Sequence, residues 1–174
     1  MNVILVDEFD AEIGTMEKLE VHEKALLHRA FSIFIFNDKT EMLLQQRAAK
    51  KYHSAGLWTN ACCSHPQPGQ QTTTAAAIRL QQEMGFSAPI QKAFEFTYKA
   101  PFDNGLTEHE FDHVFVGKYN GNIVPNVDEV SDYCYKSLAE IEASIASHPQ
   151  KYTEWFKIAF PLVQQYLAKN NTIV

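Results

Sequence analysis

The stretch AFSIFIFNDKTEMLLQQR, positions 30–47, restricts the possible folds more than any other in this chain. AFSIFIFN is rich in β-branched and aromatic side chains, and Asn37 and Asp38 are turn formers standing before a second apolar run. The segment therefore predicts two strands joined as a hairpin. NVILV near the N-terminus has the same strand character. KAFEFTYKA (92–100) and EHEFDHVFVGKY (108–119) alternate like strands, and a breaker sequence, Asp103-Asn104-Gly105, lies between them. A further strand is expected near DYCYK (132–136).

TTTAAAIRLQQEMG (72–85) departs from that pattern. Good helix formers with a threonine cap and Gly85 at the stop predict a helix. Two more helices are expected at about 138–147 and 154–169. Strands, one central helix, more strands and then helices do not make a strict βαβ alternation, so the fold class is α+β, sandwich-like. A chain of 174 residues with 45% apolar side chains can bury one sizeable core. Residues 1–174 are read as a single domain, with KNNTIV at the end as a frayed tail.

A net charge of −6 weighs against a nucleic-acid partner, which needs many uncompensated cations at the phosphates. Local basic spots such as Arg47, Lys50 and Lys51 must then serve something small. Three cysteines, Cys62, Cys63 and Cys134, do not make a disulfide framework and point to a reducing compartment. The start, MNVILVDEFDAEIG, turns acidic after a short apolar run and lacks signal-peptide features, and no window reaches membrane-spanning length. The expected location is cytoplasmic, with no membrane partner.

The residues that could carry chemistry cluster in three places. If NACCSHP (60–66) is extended, Cys63 and His65 point one way and Cys62 and Ser64 the other. Cys62 then packs in the core, while Cys63 is either an inert buried thiol or a functional one. A structural zinc knuckle fits badly, because adjacent cysteines lack the usual spacing. Glu108 and Glu110 share a face of their strand, continued by Asp112 if the strand is regular. They form either a solvated edge or a pair needing a cation or proton between them. With His22, His28 and His65 they make a plausible three-His, two-Glu cluster of the kind that suits Zn²⁺, Mn²⁺ or Mg²⁺. Arg79 and Glu83, four apart on the central helix, form either an exposed ion pair worth about 0.3–0.5 kcal/mol or a diphosphate clamp in which the carboxylate holds Mg²⁺.

Taken together, LLHRAFS, FNDKTEMLLQQR, WTNACCSHP, EHEFDHVF and WFK closely resemble the type I isopentenyl-diphosphate Δ-isomerases of the Nudix superfamily, in order and in spacing, from about residue 3 to residue 165. The resemblance implies a Nudix-like mixed β-sheet sandwich flanked by helices. It also implies interconversion of isopentenyl and dimethylallyl diphosphate in isoprenoid biosynthesis, by protonation and deprotonation. The alternative is a Nudix-type diphosphate hydrolase. Aligned on Gly85, however, the Nudix box has Ser64 for its first glycine, Gln70 for its first glutamate, Ile78 and Arg79 for its Arg-Glu pair, and Gln82 with Glu83 for its Glu-Glu pair. Most hydrolytic carboxylates are missing.

By the same resemblance, His22, His28, His65, Glu108 and Glu110 match ligands of a divalent metal (Mn²⁺, Zn²⁺ or Mg²⁺). Cys63 and Glu110 match the catalytic acid/base pair, and Tyr98 matches the tyrosine that hydrogen-bonds to Glu110. Glu83 matches the carboxylate that holds Mg²⁺ on the substrate diphosphate. Lys18, Arg47, Lys51 and Arg79 match its cationic contacts, and Trp155 matches the tryptophan facing the isoprenoid tail. The implied partner is a small isoprenoid diphosphate, and the implied assembly a monomer or homodimer.

Overall fold

Alternation along one central strand decides where the core lies. The computed structural model describes residues 1–51 and 53–170. Its strands are β1 (Asn2–Val6), β2 (Glu12–Glu17), β3 (His28–Phe36), β4 (Met42–Arg47), β5 (Trp58–Asn60), β6 (Cys62–Ser64), β7 (Ile90–Pro101), β8 (Thr107–Lys118) and β9 (Val130–Lys136). The helices are α1 (Lys18–Glu23), α2 (Thr72–Met84), α3 (Leu138–Ser147) and α4 (Glu154–Asn170), with a 3-10 turn at Pro149–Lys151.

β3 is the hub. It pairs parallel with β8 along its whole length, from His28 opposite Glu110 to Phe36 opposite Lys118, and antiparallel with β6. β7 lies antiparallel on the other side of β8, and β1 brings β2 to the opposite flank. The expected β3–β4 hairpin forms, but its arms pair only where Phe36 faces Met42. Beyond that point β4 takes β5 and β9 as antiparallel partners. The result is the expected mixed, helix-flanked α+β arrangement.

Phe31, Ile33 and Ile35 pack with Leu43, Cys62 and Phe115 under Ala75, Ala76, Leu80 and Met84 of α2. Phe34 and Phe36 face the other way, with Met42, Leu44, Val114 and Val116, against Trp155, Phe156, Ala159, Phe160 and Val163 of α4. Each such side chain contributes about 1.5–3 kcal/mol on burial. A one-residue slip of β3 would exchange the two sets, so the register is strongly specified.

Four local expectations change. α2 lacks a threonine cap: Gln71 is the capping residue and makes no side-chain bond to the helix. Its stop is as expected, because Gly85 adopts φ 75° and a Cβ there would lie 2.0 Å from the Val124 carbonyl oxygen. NACCSHP is extended only in pieces, bending at Ala61 between β5, which pairs with β4, and β6, which pairs with β3. Residues 12–23, where no element was expected, form β2 and α1. The Glu17 carboxylate caps α1 by accepting from the backbone N–H groups of Leu19 and Glu20. α4 runs on through Lys169 and Asn170, the first residues of the expected tail, whose remainder lies outside the described residues. Among the described residues, no helix is long and apolar enough to cross a membrane.

Candidate active site

The face of the sheet that packs on α4 turns polar at one end. His28 and Ser32 occupy that face of β3, and Glu108, Glu110 and Asp112 occupy it on β8. Cys63 sits there on β6, with His65 just beyond it, and His22 arrives from α1. The donor atoms of His22, His28, His65, Glu108 and Glu110 all lie within 4.8 Å of one another, and all five residues are buried.

Hydrogen bonds fix how the imidazoles point. Nδ1 of His22 donates to the Lys18 carbonyl at 2.6 Å, and Nδ1 of His28 to the Leu26 carbonyl at 2.9 Å. Each ring therefore turns its Nε2 lone pair inward. Nε2 of His22 is 3.0 Å from Glu108 Oε2, and Nε2 of His65 is 2.8 Å from Glu110 Oε1. The Nε2 atoms of His28 and His65 face each other at 3.2 Å, an arrangement a shared cation satisfies. A cation bound at about 2.0–2.2 Å keeps opposite ligands about 4 Å apart, so this donor set fits a divalent ion after a small contraction. Burial, then the charge of Lys18, pulls His65 down to about 3, which leaves it a neutral imidazole. Burial and the charge of Glu110 push Glu108 up. Burial acts the same way on Glu110, but the neighbouring His28 and His65 imidazoles outweigh it and hold Glu110 well below the usual carboxylate range.

A second set of groups surrounds Cys63. Its Sγ lies 3.0 Å from Asn60 Oδ1 and 3.5 Å from Ser32 Oγ, and Ser32 donates to Asp112 Oδ2 at 2.7 Å. Burial, then the charge of Asp112, raises the thiol far above its ordinary range, so Cys63 carries its proton at neutral pH. Asp112 is pushed well up by burial and by the Glu110 charge. Tyr98, opposite Glu110 in the β7–β8 register, donates its hydroxyl to Glu110 Oε2 at 2.7 Å.

Cations gather at the far end of the same cleft, whose volume is about 550 Å³ with its mouth included. Arg79 Nε donates to Glu83 Oε1 at 2.8 Å, and its Nη2 reaches Glu129 Oε1 at 3.1 Å. Lys51 also pairs with Glu129, and Gln45 donates to Glu83 Oε2 at 2.9 Å. Arg47 lies over the Trp155 ring, 5.1 Å from its centroid, and braces the carbonyls of His53 and Ser54. Lys18 lines the cleft as well, its proton affinity lowered by burial and restored in part by Glu108 and Glu110.

Every site residue expected from the sequence lines this cleft except His22 and His28, which sit fully buried behind it. Sequence reasoning missed His53, Ser32, Asn60 and Glu129. His53 lines the cleft, stacks on Phe102 at 5.2 Å, meets Trp155 edge-on at 5.8 Å, and places Nε2 3.5 Å from Glu108 Oε1. Burial and the charge of Arg47 pull it down to about 3. No spacing rule marks a loop histidine of this kind. Asn60 did carry a signal, being an amide side chain beside the Cys62-Cys63 pair, of the kind that readily binds nearby backbone.

Comparison with known proteins bears on what this cleft does. The NUDIX domain model matches residues 26–156. Isopentenyl-diphosphate Delta-isomerase 2 of Photorhabdus laumondii is 50% identical over 155 residues, 89% of this chain and 88% of that protein. Isopentenyl-diphosphate Delta-isomerase of Pectobacterium atrosepticum is 48% identical over 164 residues, 94% of this chain and 92% of that protein. Among solved structures, DR0079 from Deinococcus radiodurans superposes with a TM-score of 0.71 at 16% identity, over 85% of this chain and 90% of that one. The MutT protein from Methanosarcina mazei gives 0.66 at 18% identity, over 84% and 96%. At those identities the structures speak for the fold alone.

Proposed function

This chain belongs to the NUDIX domain family and, within it, to the isopentenyl-diphosphate Delta-isomerases, and on that premise we propose how its cleft interconverts isopentenyl and dimethylallyl diphosphate. The observation that carries the proposal is one cleft holding the Cys63 thiol, a tyrosine-bound carboxylate and a cation-rich end together. Gln70 and Gln82 stand where a hydrolytic Nudix box has glutamates, which argues against diphosphate hydrolysis at the same place.

The reaction moves one double bond of a five-carbon diphosphate. Cys63 carries a proton and Glu110 is ionised, so Cys63 delivers its proton to the alkene carbon facing it, and the π electrons form the new C–H bond. Glu110 then takes a proton from the carbon next to the resulting tertiary cation, and that C–H pair becomes the new double bond. The thiolate and carboxylic acid left behind are returned to their starting states by exchange with solvent. In the opposite direction the two groups exchange roles, as microscopic reversibility requires. Tyr98 fixes the free oxygen of Glu110 during both steps.

Trp155 shelters the cation with its ring face, an interaction worth about 2 kcal/mol in a desolvated site. Lys18, Arg47, Lys51 and Arg79 anchor the diphosphate, and Glu83 would help hold the Mg²⁺ that accompanies it. When bound, divalent ions supply positive charge in two places: Mn²⁺, Zn²⁺ or Mg²⁺ in the His22, His28, His65, Glu108 and Glu110 cluster, where it fixes Glu110, and Mg²⁺ on the diphosphate. Cys62, Cys63 and Cys134 are free thiols, which suits a reducing cytoplasmic setting.

Incubating the protein with isopentenyl diphosphate and following products by proton NMR tests the reading. Dimethylallyl diphosphate accumulating to an equilibrium mixture is the expected result. Release of inorganic phosphate without it would refute the proposal.

A further inference from the structure

Asn60 is fully buried at the end of β5, immediately before the bend at Ala61 that separates β5 from β6. Both hydrogens of its amide are committed: Nδ2 donates to the Ile33 carbonyl at 3.0 Å and to the Cys62 carbonyl at 2.9 Å. A flipped amide would press its oxygen against two carbonyls, so the orientation is determined by the partners. Oδ1 is thereby left facing Cys63 Sγ at 3.0 Å, and it also accepts from Thr59 Oγ1 at 2.9 Å. An amide oxygen has no hydrogen to give. Sulfur can meet it at this distance only as an S–H donor.

The other neighbour of the sulfur does not compete as a donor. Ser32 directs its hydroxyl hydrogen to Asp112 Oδ2 at 2.7 Å, so its oxygen turns only lone pairs to Sγ, at 3.5 Å. Cys63 lines the cleft, whereas Asn60 does not. The S–H···Oδ1 bond therefore lies on the protein side of the sulfur, and it sets the rotation about Cβ–Sγ before substrate enters.

We propose that Asn60 is a positioning residue for the Cys63 thiol, parking its hydrogen on Oδ1 so that rotation about Cβ–Sγ alone delivers it to the substrate alkene. The inference rests on Cys63 being the proton-transfer thiol of the proposed reaction. It goes further in assigning the resting direction of the S–H bond and the residue that enforces it. Asn60 also ties down the chain at its bend, so a purely structural role is the alternative to be separated.

Raman difference spectra between the unmutated protein and Cys63→Ala isolate the Cys63 S–H stretch and require no change at Asn60. The proposal expects that band at the lowered frequency of a hydrogen-bonded thiol; a band at the free-thiol frequency, or none, overturns it. Kinetics supply the second arm. Asn60→Ala should lower kcat by about tenfold to a hundredfold, leave KM for the diphosphate nearly unchanged, and move the S–H band upward. Thr59→Val removes the other buried bond to the same oxygen but spares the thiol contact, so it should keep kcat close to the parent value. Equal kcat losses in both variants, or an unchanged kcat in Asn60→Ala, would overturn positioning. Should Asn60→Ala not fold, the spectrum of the unmutated protein decides. An active Cys63→Ala variant would instead defeat the reading of Cys63 itself, so the two failures are distinguishable.

Discussion

Toward α2, the central strands present Phe31, Ile33, Ile35 and Cys62; toward α4, the alternate residues of the same strands present His28, Ser32, Glu110 and Cys63 at one end. The first face is a closed apolar core. The second buries titratable groups and leaves polar atoms unpaired: His65 Nδ1, Asp112 Oδ1 and Trp155 Nε1 are the buried side-chain polar atoms without a partner among the described residues. All three belong to the cleft or to the groups behind Cys63. Each unsatisfied buried group costs about 1–3 kcal/mol, so the α4 side gives up stability that the α2 side supplies. One sheet thus concentrates its acid/base chemistry on one face by side-chain parity, while Arg79 and Glu83 reach the cleft from α2.

The sharpest way to break that comparison is to substitute the two adjacent cysteines in turn. Cys63→Ala should lower turnover by about a thousandfold or more, while Cys62→Ala should turn over like the parent and lose only a little stability. Comparable activity in both variants would abolish the distinction between the faces. Phe31→Ala sharpens it from the other side. It should cost about 3–5 kcal/mol in urea unfolding, with normal kcat per folded molecule.

How much of this separation could be read from the sequence depended on the range of the interactions. β3 was placed by its β-branched and aromatic composition. Period-two alternation placed β7 and β8 and put Glu108 and Glu110 on one face, because strand parity is local. Cys62 was recognised as core by the same rule. The motif resemblance, rather than any spacing, pointed to Tyr98, Trp155 and Lys18, whereas Arg79 was marked by its four-residue spacing from Glu83 and Arg47 and Lys51 by local basic charge. β2 and α1 went unrecognised because their apolar positions follow neither period, and α1 is started by the side chain of Glu17, not by a common cap. Ser32 and Asp112 stand 80 residues apart, and Asn60 acquires its role only because the chain bends at Ala61. Such partners meet through sheet topology that no local window contains.

Smaller effects probe the polar face itself. Tyr98→Phe removes the hydroxyl that donates to Glu110 at 2.7 Å and should reduce kcat about tenfold, the equivalent of one hydrogen bond. Asp112 acts on stability instead of turnover, and its effect appears as a pH slope. Its folded proton affinity is raised above the ordinary value of 3.8, chiefly by burial. As pH rises past that value the unfolded chain releases the proton while the folded one keeps it, so this residue makes stability fall with pH. Asp112→Asn leaves Ser32 an acceptor and should flatten that fall in urea midpoints taken from pH 4 to 8.

Solvent-isotope incorporation addresses the central claim most directly. In deuterium oxide, the protein given isopentenyl diphosphate and Mg²⁺ should yield both five-carbon diphosphates carrying carbon-bound deuterium, and Cys63→Ala should yield none. Double-bond migration without deuterium uptake, or deuterium uptake undiminished in Cys63→Ala, would contradict proton transfer by this thiol.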